Sequence, residues 1–258
     1  MMKPVFSALL LIPAVALAGS AFDGTWSARL DSMKVSGKPD VYELAGGNYV
    51  CSSCTPALTV PADGAWHKVS GHDYYDEIMV KVLSPRSVEI TQRLAGKTAS
   101  TNTMEISADG NTLSGKFIGY QGEQPIKGSY TEKRVAAGAA GAHALSGSWL
   151  QDQMSDGNDA LRTISYAMTP DEFTMHSNGQ SYAAKFDGKQ YPVTGDPGHT
   201  MVTLKKVDDH TVMETDYRQG KVTDEVRLAA APDGKTLDLT DKDVAHGQTV
   251  TITLDKQH

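Results

Sequence analysis

Ala108-Asp109-Gly110-Asn111-Thr112-Leu113 returns as Pro232-Asp233-Gly234-Lys235-Thr236-Leu237, 124 positions further along the chain. Residues 62–113 lie on residues 186–237 at that offset without a gap. Ala62-Asp63-Gly64 meets Phe186-Asp187-Gly188, and the stretch His67 to Gly71 (HKVSG) meets Tyr191 to Gly195 (YPVTG). Ser87 to Thr91 (SVEIT) meets Thr211 to Thr215 (TVMET), and Gly96-Lys97 meets Gly220-Lys221. Self-similarity of this length makes the chain two tandem copies of one unit.

Inside each copy the pattern is that of a strand meander. Ile78, Val80 and Val82 share one face of a run whose other face carries Glu77, Met79 and Lys81, the period-two alternation of a half-buried strand. Ser84-Pro85-Arg86 turns the chain, and Val88 and Ile90 continue the apolar face, followed by Met104, Ile106, Leu113 and Phe117. Asp109-Gly110 and Asp233-Gly234 are hairpin dipeptides, because glycine enters positive φ without a steric penalty. Strands recur at roughly 8–12-residue spacing, the mark of an up-and-down barrel or a sandwich. The expected fold is all-β, with two tandem antiparallel barrels. The loop after each opening Gly-x-Trp (Gly24-Thr25-Trp26, Gly147-Ser148-Trp149) has room for one helical turn.

Residues 1–18 read as a signal peptide: Lys3, a short apolar run interrupted by Pro13, and Ala16-Leu17-Ala18 before the cut. The run is shorter than the ~20 residues that span a bilayer. The expectation is a periplasmic or secreted protein cleaved after Ala18, without membrane insertion. Residues 19–135 then form the first barrel, residues 136–144 (AAGAAGAHA) an Ala/Gly linker, and residues 145–258 the second barrel. Without Lys3 the chain carries 23 basic against 31 acidic residues. An acidic surface with no Lys/Arg cluster argues against nucleic acid as a partner.

A Gly-x-Trp on the first strand, followed by an antiparallel meander, resembles the lipocalin and fatty-acid-binding barrels of the calycin group. The resemblance implies that Trp26 and Trp149 plug the barrel ends. It also implies an Arg from a late strand over the Trp, for which Arg134 is available in the first unit. The second unit ends Leu254-Asp255-Lys256-Gln257 with no Arg. Residues 186–195, 206–212 and 231–240 are similar to a family of exported bacterial domains with no assigned activity.

Cys51 and Cys54 are the only cysteines, and their counterparts in the second copy are Met175 and Asn178. In an oxidising compartment such a pair usually bonds to itself. A metal site with His67 and His72, or a redox pair, are the alternatives. Position 55 is Thr, so the haem-attachment pattern is incomplete. His72 and Asp76 share a Gly-led loop that reads either as a solvated turn or as a rim site. Val88, Ile90 and Gln92 align with Val212, Glu214 and Asp216. Either the second interior is polar or the strand slips by one residue to bring Met213 inward; the cost of burying a carboxylate favours the slip.

No Gly-x-Ser-x-Gly, His-Glu-x-x-His or phosphate loop occurs. The function expected is therefore binding of a small, apolar ligand, without a cofactor or bound metal. The barrel-interior residues Ile78, Val80, Val82, Val88, Ile90, Met104, Ile106 and Phe117 are the candidate lining. A non-catalytic envelope interaction module is the alternative, and a metal protein or enzyme using Cys51, Cys54, His67 and His72 is the third reading.

Overall fold

The computed structural model describes residues 19–257; the expected signal peptide lies outside them. The fold is all-β, with two antiparallel, nearly closed, barrel-shaped sheets. The first contains ten strands, drawn from the segment Asp40–Ala45 through Gly147–Ser155. The second contains Thr163–Met168 through Gln248–Lys256, plus one strand from the far end of the chain, Gly24–Ala28. A further strand, Lys34–Gly37, lies beside Gln248–Lys256. The first sheet's path ends at Leu58–Pro61 and Asp63–Lys68, which share no ladder. In the second, the single bridge between Ser181 and Thr194 spans the equivalent seam.

The two Gly-x-Trp strands are exchanged between the copies. Gly24–Ala28 pairs with Thr163–Met168 on one side and with Gln248–Lys256 on the other, both in the second copy. Gly147–Ser155 pairs with Ile126–Ala137 and with Asp40–Ala45, both in the first. Trp26, fully buried, therefore belongs to the core that holds Phe173, Val202, Leu228 and Leu237. Trp149, also fully buried, belongs to the core of Val80, Val88, Ile106 and Leu113. Each tryptophan is buried in the core of the barrel built mainly by the other copy.

The Ala/Gly stretch thus does not join the barrels. Ala136 and Ala137 lie within the strand Ile126–Ala137, and the rest turns the chain into Gly147–Ser155 of the same sheet. The chain passes between barrels at Lys38-Pro39 and after Ser155. Helical turns follow each exchanged strand, at Leu30–Ser32 and Asp159–Arg162, where the loops had room for them.

The motif glycine has a physical cause. Gly147 has φ +138°, and a Cβ there would fall 2.4 Å from the Ala136 carbonyl and 2.5 Å from the Arg134 guanidinium. Only glycine lets the strand approach so closely. Each indole N–H donates to a carbonyl four residues earlier, Trp26 to Phe22 at 2.9 Å and Trp149 to Leu145 at 2.8 Å. Arg134 stacks 4.0 Å over Trp149 and also donates to the Ser146 and Ala144 carbonyls. In the second barrel the Lys256 ammonium takes the corresponding place, 5.3 Å over Trp26.

Trp26→Ala should cost about 3–5 kcal/mol and strip hydrogen-exchange protection from strands between residues 163 and 256 while sparing residues 40–94. Exchange mass spectrometry would see the opposite pattern if the strand stayed with its own copy.

Candidate functional site

The lower halves of both barrels are packed. Ile78, Val80, Val88, Met104 and Ile106 are buried in one cluster with Trp149, and Ile90 packs against it. Val82 stands opposite the buried Val88, on the same face, but it is 42% exposed because it lies at the end of its strand, beside a register irregularity. Phe117 is half-buried and stands higher, tilted against Tyr130.

Cys51 and Cys54 form a disulfide, so neither offers a thiolate to a metal. His67 pairs with Asp63 at 2.9 Å. His72 stacks on Tyr75 with ring centroids 4.4 Å apart, and Asp76 accepts the Ala95 N–H, so the two side chains have separate partners. Tyr74 of this loop packs against Gly198, where a Cβ would lie 2.8 Å from its ring. Gln219 also donates to Asp73 at 2.8 Å. Residues 71–76 and 195–200 are repeat counterparts, so the barrels meet loop against equivalent loop.

Two clefts lie where one barrel's mouth meets the other barrel. The first, about 410 Å³, is lined by Gln92, Ser100, Phe117 and Ile126 of the first barrel and by Leu161 and Asn178 beyond the crossing. The second, about 390 Å³, is lined by Asp40, Ser53, Cys54, His246 and Gln248, with Lys38 at the crossing. They share part of their lining by the repeat: Asn178 corresponds to Cys54, Ser177 to Ser53 and Gly122 to His246. The disulfide loop is thus a wall of the second cleft. Ser53 Oγ donates to Asp40 and accepts the Val41 N–H, and Gln248 donates to the Lys38 carbonyl.

The interiors beneath the mouths differ in polarity. Val212 is fully buried and pairs with Leu228, and Glu214 pairs with Val226 on the same face. The strand has not slipped toward Met213; the second interior is polar. Glu214 is kept inward by Tyr182, whose hydroxyl donates to Oε2 at 2.6 Å. Burial raises the carboxyl of Glu214 above the usual range. It pushes Asp216 up to about 9, with help from Glu214, and Asp241 up to about 6, with help from Asp224. Arg218 pairs with Asp224, at 2.8 Å, and also donates to Thr223. Asp216, Asp224 and Asp241 occupy the repeat positions of Gln92, Ser100 and Phe117.

The first barrel buries one carboxylate that the repeat offset hid. An offset of 124 places Glu132 on Lys256, a charge on a charge. The ladders disagree: Glu132 stands opposite Leu113, as Leu254 stands opposite Leu237. The turn between the paired strands makes the difference: it is two residues longer in the first copy, where Gly119 pairs with Ile126, than in the second, where Asp243 pairs with Gln248. Glu132 is 5% exposed, and among the described residues its Oε2 has no hydrogen-bond partner. Burial, then the nearby Asp40, pushes it up to about 7. Tyr42, Tyr49 and Tyr130 surround it closely enough for their hydroxyls to be raised by burial and by Glu132.

No protein-family model matches the chain, and no curated protein or solved structure matches it either. Among the described residues no group of three or more His, Cys, Asp or Glu side chains is placed to hold a metal ion.

Glu132, Glu214, Asp216 and Asp241 hold protons more tightly folded than unfolded, where carboxyls titrate near ~4. Their contribution is complete below that range and is lost as pH rises through their folded values. The melting temperature should fall from pH 5 to pH 9, and Asp216→Asn should flatten the upper part of that decline. Calorimetry across the range checks both.

Proposed function

We propose that this is an exported binding protein for a small, largely apolar ligand, held in the first cleft. What carries the proposal is the pair of ligand-sized clefts in repeat-equivalent places at the barrel mouths. Pockets for small molecules run ~300–1,000 Å³ and favour barrel mouths and domain boundaries, and 410 Å³ falls in that range. Phe117, Ile126, Ala160 and Leu161 supply apolar wall, while Gln92, Gln121 and Gln180 supply neutral amides. Among the described residues no charged side chain lines it, which suits an uncharged ligand. The packed lower barrel moves the ligand from the centre, where a calycin-type carrier would hold it, up to the mouth. The signal-peptide pattern of residues 1–18 supports export.

The clefts exist because of the strand exchange. The crossing segments that return each chain half to its barrel also wall the other barrel's mouth, so the binding surface is shared between copies.

A lipophilic fluorophore should bind the mature protein saturably and be displaced by uncharged apolar competitors. Ala160→Trp, which fills the first cleft, should weaken it at least tenfold without changing the melting temperature. Saturable binding unaffected by Ala160→Trp would remove this site, and absence of any binding would remove the carrier reading.

A further inference from the structure

Glu132 is an internal experiment that the duplication has already performed. The second copy builds the same interior position with Leu254, 2% exposed and opposite Leu237. The module therefore closes its core there without a carboxylate. A buried carboxyl with an unpartnered oxygen costs stability, and here no basic side chain repays it. Among the described residues, neither Glu132 nor Asp40 takes part in a salt bridge. Asp40 is held by neutral donors alone, Ser53 at 3.2 Å and Gln248 at 3.4 Å.

The surroundings narrow what Glu132 awaits. Asp40 lines the second cleft and lies close enough to act on Glu132 electrostatically. Tyr42 and Tyr49 stack with ring centroids 6.1 Å apart, and Tyr130 receives a hydrogen bond from Asn102 at 2.7 Å. The buried Oδ1 of Asn102, like Glu132 Oε2, is an acceptor without a donor. Two carboxylates, stacked phenol rings and two idle acceptors ask for a group that carries positive charge and N–H donors. Aromatic faces attract such cations and carboxylates bind them by charge-assisted hydrogen bonds. Lys38 also lines the cleft, but it forms no salt bridge to Asp40 in the described structure.

We propose that the second cleft is a binding site for a small primary ammonium compound, whose cationic head passes Asp40 and pairs with Glu132 among Tyr42, Tyr49 and Tyr130. The body of the ligand occupies the cleft between the Cys51–Cys54 loop and His246. This site is separate from the first cleft and takes a ligand of different charge.

Isothermal titration of the mature full-length protein with n-butylammonium, n-butanol and n-butyrate tests this. Butylammonium should bind at least tenfold more tightly than the other two. Glu132→Leu, which installs the second copy's residue, should remove that preference while leaving the melting temperature unchanged or raised. Glu132→Gln, which keeps the shape and loses the charge, should do the same, and near-ultraviolet circular dichroism of both variants should match the parent. Ala160→Trp should leave butylammonium binding intact. Equal affinity for the three probes, or a preference that survives both Glu132 substitutions, would overturn the proposal. So would loss of butylammonium binding in Ala160→Trp, which would place the cation in the first cleft. Fluorophore binding at the first cleft is read independently, so failure there leaves the ammonium result standing.

Discussion

The exchange of the Gly-x-Trp strands is the constraint on which the rest of the molecule depends. A barrel needs a strand between its second and its last, and neither copy supplies its own. Gly24–Ala28 fills the gap in the second barrel and Gly147–Ser155 the gap in the first. Each inserts a tryptophan that is fully buried, held by its own indole hydrogen bond and covered by a cation. Removing either strand would leave two sheet edges unpaired and a core without its largest side chain. Each copy is thus held by a strand locked into the other copy's sheet, and the loops 71–76 and 195–200 contact one another.

Duplication with exchange produces two mouths on one plan, and the plan has diverged where it is least constrained. The packed floors remain apolar in both copies, since every substitution there would open a cavity or strand a polar group. One or two rows higher the copies part. The first mouth carries Gln92, Ser100 and Phe117, and the second Asp216, Asp224 and Asp241. Glu132 is the exception, a charge at floor level. Its oddity is visible only because Leu254 shows what the position accepts. Acids held protonated by burial make the interior sensitive to pH, because ionising them needs either a partner cation or exposure to water.

Much of the architecture was legible in the chain. The offset of 124 residues gave two units, alternation gave pleated strands, and Asp-Gly pairs gave the hairpins. The room for a helical turn after each Gly-x-Trp was used at Leu30–Ser32 and Asp159–Arg162. The pairing of Cys51 with Cys54 was one of the alternatives left open by sequence and is the one found. Alternation also placed Glu214 and Asp216 inward, and the cost of burying them argued for a slip. Part of that cost, at Glu214, is offset by Tyr182, a hydroxyl from a strand 32 residues away, which no local pattern shows.

Sequence by itself determined the periodic content: two copies of an all-β module, the Asp-Gly turns between strands, and the apolar faces of the central strands. Those follow from local rules, side-chain alternation and the φ freedom of glycine, which act within a few residues. Tertiary structure alone decided which copy receives which tryptophan, where the clefts open and which carboxylates are stranded. These depend on pairings between strands more than a hundred residues apart, such as Trp26 with Lys256 and Trp149 with Asp40. Two similar modules present similar strand edges, so the alternation of apolar residues along a strand does not say whether that strand is kept or traded.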